Sequence, residues 1–107
     1  MTPEIFQRIL KLRLEKMQET LGNKAKEYSR DGDRLHNFKV AARMNNVTQA
    51  QALWGMAMKH LVCVDDMVKG RTVATKDVVD EKIGDMMNYL VLLEAVLTEY
   101  VYGGPRE

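Results

Sequence analysis

Three carboxylates and an amide, Asp77, Glu81, Asp85 and Asn88, recur at intervals of four, four and three residues in the segment DVVDEKIGDMMNYLVLL, residues 77–93. On a helix that spacing sets their side chains side by side on successive turns. Oxygen donors in a row are what a hard cation such as Mg2+ takes, so divalent-metal chemistry is one reading. The other is a solvated face whose acids sit near a helix N-terminus, where the dipole favours them. Leu92 and Ala95 continue the line, which predicts a stripe leading from solvent toward the interior. Val79, Ile83, Met86, Leu90 and Leu93 form a separate apolar stripe, the expected packing face.

A second chemical group stands on the preceding segment. Leu53, Met56, His60, Val64 and Met67 share one apolar stripe, flanked by Ala57, Leu61 and Val68, with His60 at its centre. Once buried, an imidazole must find a partner, because an unpaired polar group costs about 1–3 kcal/mol. Two readings stay open: a core histidine satisfied by a carboxylate or carbonyl, or a group that binds metal, touches phosphate or passes protons. The acidic stripe is the natural partner in both. Trp54 borders this stripe and is expected in the core. The polar stretch SRDGDRLH, residues 29–36, reads as a turn built on Asp-Gly, and holds Asp33, Arg34 and His36 just before Asn37.

Four helices would position these groups. Thr2 and Pro3 are start signals for the first, with Phe6, Ile9, Leu10, Leu14, Met17 and Leu21 on its apolar face. It is expected over 3–28, with Gly22-Asn23 weakening or ending it and Ala25 and Tyr28 extending its apolar face. Asn37 is the expected cap of a short helix over 37–44. Thr48 and Gln51 form a capping box that opens a helix over 48–69, which Gly70 ends. Thr75 caps the last, over 76–102, and 103–107 is expected as a frayed tail. Residues 89–97 are apolar nearly all round, so that helix is either central to the bundle or lends a face to another copy.

Composition agrees with this outline. The chain of 107 residues fits one all-α domain over 1–107, with eight Met, two Pro and seven Gly; 46% of it is hydrophobic. A formal net charge of +1 with no basic block gives no footprint for direct nucleic-acid binding. The single Cys63 excludes an internal disulfide and suits a reducing, cytoplasmic setting. Arg8, Lys11 and Arg13 interrupt the first apolar residues, which is unlike a secretory leader, and no run is long enough to span a membrane. Glycine-rich phosphate loops and CxxC pairs are absent, and the lone Ser29 lies in the expected turn, so a serine triad is not supported. Cys63 lies three residues after His60, too little for a closed zinc site.

EKIGDMMNYLVLL resembles the EExxD-V-x-x-Y-L-x-x-L helix of the MazG-like all-α nucleoside triphosphate pyrophosphatases, with Glu81, Asp85 and Tyr89 on matching positions. Taken with KEYSRDGDRLHNFKVAA and AL-GMAMKH, the pattern over 24–98 is similar to the small phage and prophage proteins called nucleotide-modification-associated domains. The resemblance implies a MazG-like helical bundle completed by self-association, as a dimer or tetramer in the (host) cytoplasm. It implies a hydrolase of nucleotide metabolism that takes a nucleoside triphosphate to monophosphate and pyrophosphate with Mg2+, or Mn2+ in its place. Carried over, Glu81 and Asp85 are metal ligands, with Asp77 an outer one. His60 joins Glu81 and Asp85 in the catalytic set. Lys59, Asp33, Arg34, His36, Asn37 and Asn88 would meet the nucleotide, although periodicity turns Lys59 away from the stripe.

Two departures bear on activity. The family's ExxE on the preceding helix is replaced by KHLVC, and the second Glu of EExxD is Lys82. Fewer carboxylates leave three readings: an enzyme that uses His60 and Asp65 instead, a catalytically silent nucleotide-binding module, or a phage helical protein-interaction and dimerisation protein.

Overall fold

The first helix, α1 (Pro3–Gln18), starts where Thr2 Oγ1 accepts the Ile5 N–H at 3.1 Å, with proline in the first turn. The computed structural model describes residues 1–23, 29–30 and 32–102, so the expected helical continuation over 24–28 and the tail 103–107 lie outside the described residues. Past Gln18 the chain loosens into a π-helical turn, Glu19–Asn23, at the Gly22-Asn23 break. α1 buries none of its residues.

After the turn at 29–35, α2 (His36–Asn45) ends on Asn46 in the left-handed region, φ 53°. α3 (Gln49–Val68) opens with the expected capping box: Thr48 Oγ1 accepts the Gln51 N–H at 3.1 Å, and Gln51 Oε1 accepts the Thr48 N–H at 2.9 Å. Gly70, φ 73°, turns the chain out of α3. Thr75 Oγ1 then takes the Val78 N–H at 3.3 Å as α4 (Lys76–Tyr102) begins. The fold is all-α, and among the described residues no helix is long and apolar enough to cross a membrane.

The core lies where α2, α3 and the second half of α4 meet. Leu35, Phe38, Leu53 and Val96 form it, with Met56, Tyr89, Leu92 and Leu93 packed around them. Leu53 on α3 reaches Val96 on α4 while His60 reaches Tyr89, so the two long helices run antiparallel. The packing face of α4 is the expected one in part: Leu93 packs on the core and Ile83 and Met86 are half-buried, but Tyr89, Leu92 and Val96 also face the core while Val79 and Leu90 are exposed. Where a helix is apolar nearly all round, periodicity leaves the buried side to whichever neighbours arrive. Trp54 is another correction. It is 42% exposed, on the outer side of α3 with Met58 and Val62. Asn37 does not cap α2, because the helix has already begun at His36; Asp33 Oδ1 takes the Leu35 N–H at 2.9 Å just before it.

Leu53 is fully buried in a small core. Truncation to Ala removes transfer energy and leaves a cavity, together about 2–5 kcal/mol. Leu53→Ala is expected to lower the urea midpoint by an amount equivalent to about 3 kcal/mol, and Leu53→Met by less than about 1.5 kcal/mol. Equilibrium unfolding followed by far-UV dichroism measures both.

Candidate functional site

The acidic stripe begins in solvent and ends against the core. Asp77 lies exposed in the first turn of α4, and the Glu81 side chain is 62% exposed beside Lys82, whose Nζ is 3.2 Å away. That contact raises the Lys82 pKa. Asp85 and Asn88 are half-buried, and Leu92 packs on the core. Ala95, expected to continue the line inward, is exposed.

Asp85 and Asn88 stand at the junction of two recesses. On one side is a cavity of about 440 Å3 walled largely by carbon: Leu21 of the π turn, Phe38 of α2, Met56 of α3, and Tyr89 and Leu92 of α4. Arg34, Asn37 and Thr20 supply the remaining polar groups on its wall. On the other side is a charged cleft of about 200 Å3 between α1 and α4, bordered by Arg13, Lys16, Glu19, Asp80 and Glu81. The Asn88 Oδ1 is buried and has no hydrogen-bond partner among the described residues. Leaving such an acceptor unpaired costs about 1–3 kcal/mol, so a donor or a cation seated beside it would gain from its oxygen.

His60 finds its partner where the sequence points. Its Nδ1 is 3.5 Å from Asp85 Oδ2, and its ring stacks on Tyr89 with centroids 4.9 Å apart. Burial raises the Tyr89 pKa, and the Asp85 carboxylate adds to the effect. Tyr89 therefore keeps its phenolic proton beside a carboxylate.

The turn before α2 is pinned from two directions. Gly32, φ 75°, allows the reversal, and Asp33 and Arg30 exchange backbone hydrogen bonds of 2.9 and 3.2 Å. Lys39 Nζ lies 2.7 Å from Asp33 Oδ2 and 2.9 Å from Glu99 Oε1, tying the turn and α2 to α4. These pairings lower the Asp33 pKa and raise that of Lys39. Asp33 thus serves as a tether and borders a different recess, beside Arg34, Leu35 and Glu99. Arg34 and Asn37 reach the carbon-walled cavity. His36 is half-buried in α2 and lines neither recess at Asp85; Lys59 is exposed on α3 and lines neither.

A charge clamp that the sequence reading missed closes the α1 side. The Asp80 carboxylate takes Arg13 at 2.5 Å together with Lys16, and Arg13 also donates to the Asp80 carbonyl at 3.0 Å. Gly84 makes room, since a Cβ there would press on the Arg13 guanidinium. The available signal lies in α1, where Arg13 and Lys16 fall inside the apolar arc and so need an anion opposite. Thr20 and Glu19 follow from the same docking.

Mg2+ is six-coordinate, keeps several waters, and takes one or two carboxylates together with substrate phosphates. The oxygens of Asp85, Glu81 and Asn88 on one line fit that partial donor set. Among the described residues no group of three or more His, Cys, Asp or Glu is gathered closely enough to hold an ion as a complete protein cage. Asp77 is two turns away from Asp85, and Asp80 is committed to its cations.

The Lys16 and Arg13 contacts hold the Asp80 pKa below its ordinary 3.8. A depressed carboxylate contributes stability that is present above the unfolded value and lost as pH falls through the folded one. α1 is accordingly expected to loosen from α4 below about pH 4, the unfolded carboxylate value. Asp80→Asn is expected to loosen it already at neutral pH and to flatten the acid dependence. Amide exchange of residues 3–18 between pH 3 and 7 measures both.

Compared with known proteins, this chain has no match among family models, curated proteins or solved structures.

Proposed function

We propose that this chain is a metal-dependent nucleotide pyrophosphohydrolase of the MazG-like kind, working as an assembly of copies. The observation that carries the reading is the junction at Asp85 and Asn88, with a carbon-walled cavity on one side and a cleft lined by charged groups on the other. A nucleoside triphosphate has that same division, an aromatic base at one end and phosphates at the other. In this reading Phe38, Met56 and Tyr89 pack around the base, and Arg34 with Asn37 closes over it from the turn. Arg13 and Lys16 place positive charge along the phosphate end while remaining attached to Asp80. Asp85 and Glu81 would hold Mg2+, with Asn88 Oδ1 beside them. The bound cation would supply neutralisation of phosphate charge and acidification of a water. His60, stacked on Tyr89 and set against Asp85, is the group able to hold or accept a proton there. The overall change adds water across the link between the α and β phosphates, giving nucleoside monophosphate and pyrophosphate.

The incomplete donor set favours a second reading, a module on the same site that binds a nucleotide without cleaving it. Thermal unfolding against a panel of ribo- and deoxynucleoside triphosphates, with and without Mg2+, tests both. A ligand at 100 times its dissociation constant is expected to stabilise the folded state by about 2.7 kcal/mol. The shift should require Mg2+ and vanish in Asp85→Ala, with monophosphate and pyrophosphate appearing at high protein concentration. A shift with no product supports the binding module. No shift with any nucleotide returns the acidic stripe to a solvated face.

A further inference from the structure

Two of the polar groups on the carbon-walled cavity, Arg34 and Asn37, come from the turn before α2 and from the first turn of that helix. Whatever fixes this turn decides where both groups stand. Arg34 is flanked by two anchored residues. On its C-terminal side Leu35 is buried in the core, 6% exposed. On its N-terminal side Asp33 uses both carboxylate oxygens: Oδ1 accepts the Leu35 N–H at 2.9 Å, and Oδ2 accepts from Lys39 Nζ at 2.7 Å.

Lys39 carries that anchor across to α4, where its Nζ lies 2.9 Å from Glu99 Oε1. One ammonium thus joins the turn, α2 and the second half of α4. Its place is remote from the reacting end of the site. Glu99 lies about three turns beyond Asn88, roughly 16 Å along the helix axis. Lys39 itself lines neither the carbon-walled cavity nor the charged cleft. The three side chains are between 31 and 37% exposed, where ion pairs add little stability. Their effect is on geometry, because a group already in place binds a ligand without first being ordered. The ammonium also separates two like charges. Asp33 and Glu99 are both in hydrogen-bond range of one nitrogen, so without it they repel each other and push the turn off α4.

We propose, on the nucleotide reading above, that Lys39 is a positioning residue for the base end of the site, holding Arg34 and Asn37 over the cavity without touching the nucleotide. The phosphate end is placed separately: Asp80 fixes Arg13 and Lys16 on the other side of Asp85. Lys39 therefore acts on recognition of the nucleoside and leaves phosphate and metal alone.

Calorimetry on the intact chain tests this role, with Mg2+ and a panel of ribo- and deoxynucleoside triphosphates in one arm and Mg2+ with inorganic pyrophosphate in the other. Lys39→Met is expected to weaken the triphosphate that wild type binds best about tenfold, as follows when the turn is in place about a tenth of the time. Pyrophosphate, which occupies the charged cleft alone, should bind as it does to wild type. Lys39→Arg keeps a cation between the two carboxylates and should restore the triphosphate. Glu99→Ala cuts the α4 leg while leaving Asp33 paired; it should weaken the triphosphate in the same direction, and it carries the test if Lys39→Met fails to fold. Amide exchange at residues 33–35 should quicken in both variants while α3 keeps its protection. Equal losses of triphosphate and pyrophosphate would mark a general loosening of the fold and overturn the role. Full triphosphate affinity in both variants overturns it too, and leaves the nucleotide reading standing. A wild type that binds neither triphosphate nor pyrophosphate overturns that reading and this role together.

Discussion

Asp80 decides where α1 lies. A helix with no buried residue has little apolar contact to fix its position, and the pairing of Arg13 and Lys16 with one carboxylate on α4 supplies that fix. Everything on the α1 side of the site depends on it. The charged cleft exists because α1 is held across α4 at Gly84, and the π turn that follows brings Thr20 and Leu21 to the cavity. Half-exposed ion pairs are weak individually. Two cations on one carboxylate, with a further bond from Arg13 to the Asp80 carbonyl, specify position better than they add stability.

The local signals were legible because they are short and chemical. Thr2, Thr48 and Thr75 each satisfy a helix N-terminal N–H, and Gly70 takes the left-handed conformation at the end of α3, all as residue type alone implies. Arg34 and Asn37 line one cavity with Asp85 and Asn88, a pair far from them in sequence, and His60 reaches Asp85. What periodicity could not give was orientation. The apolar second half of α4 offers several equivalent faces, and the core took Tyr89, Leu92 and Val96. Lys59 and Asp77 show the complementary limit: residue type says nothing of reach, since Lys59 lines neither recess and Asp77 shares the stripe but lies two turns of α4 short of Asp85. The Asp80 clamp was hidden because it joins residues whose separate roles look ordinary until α1 and α4 are side by side.

Two carboxylates one turn apart have acquired different surroundings. Glu81 is mostly in water beside Lys82, while Asp85 lies 38% exposed between His60 and the cavity, next to Tyr89. Opposite carboxylates on facing helices repel one another, and such a site gains much of its cohesion from the cation it binds. Here the residue opposite Asp85 is an imidazole, at the place where the resemblance leads one to expect acids. A His–Asp contact stacked on an aromatic ring can pack in the absence of any ion. An imidazole in that position leaves one carboxylate fewer at the junction and gives Asp85 a neighbour that needs no ion. Asp85, common to the cavity, the cleft and the histidine, is therefore the residue on which the two sides of the junction meet.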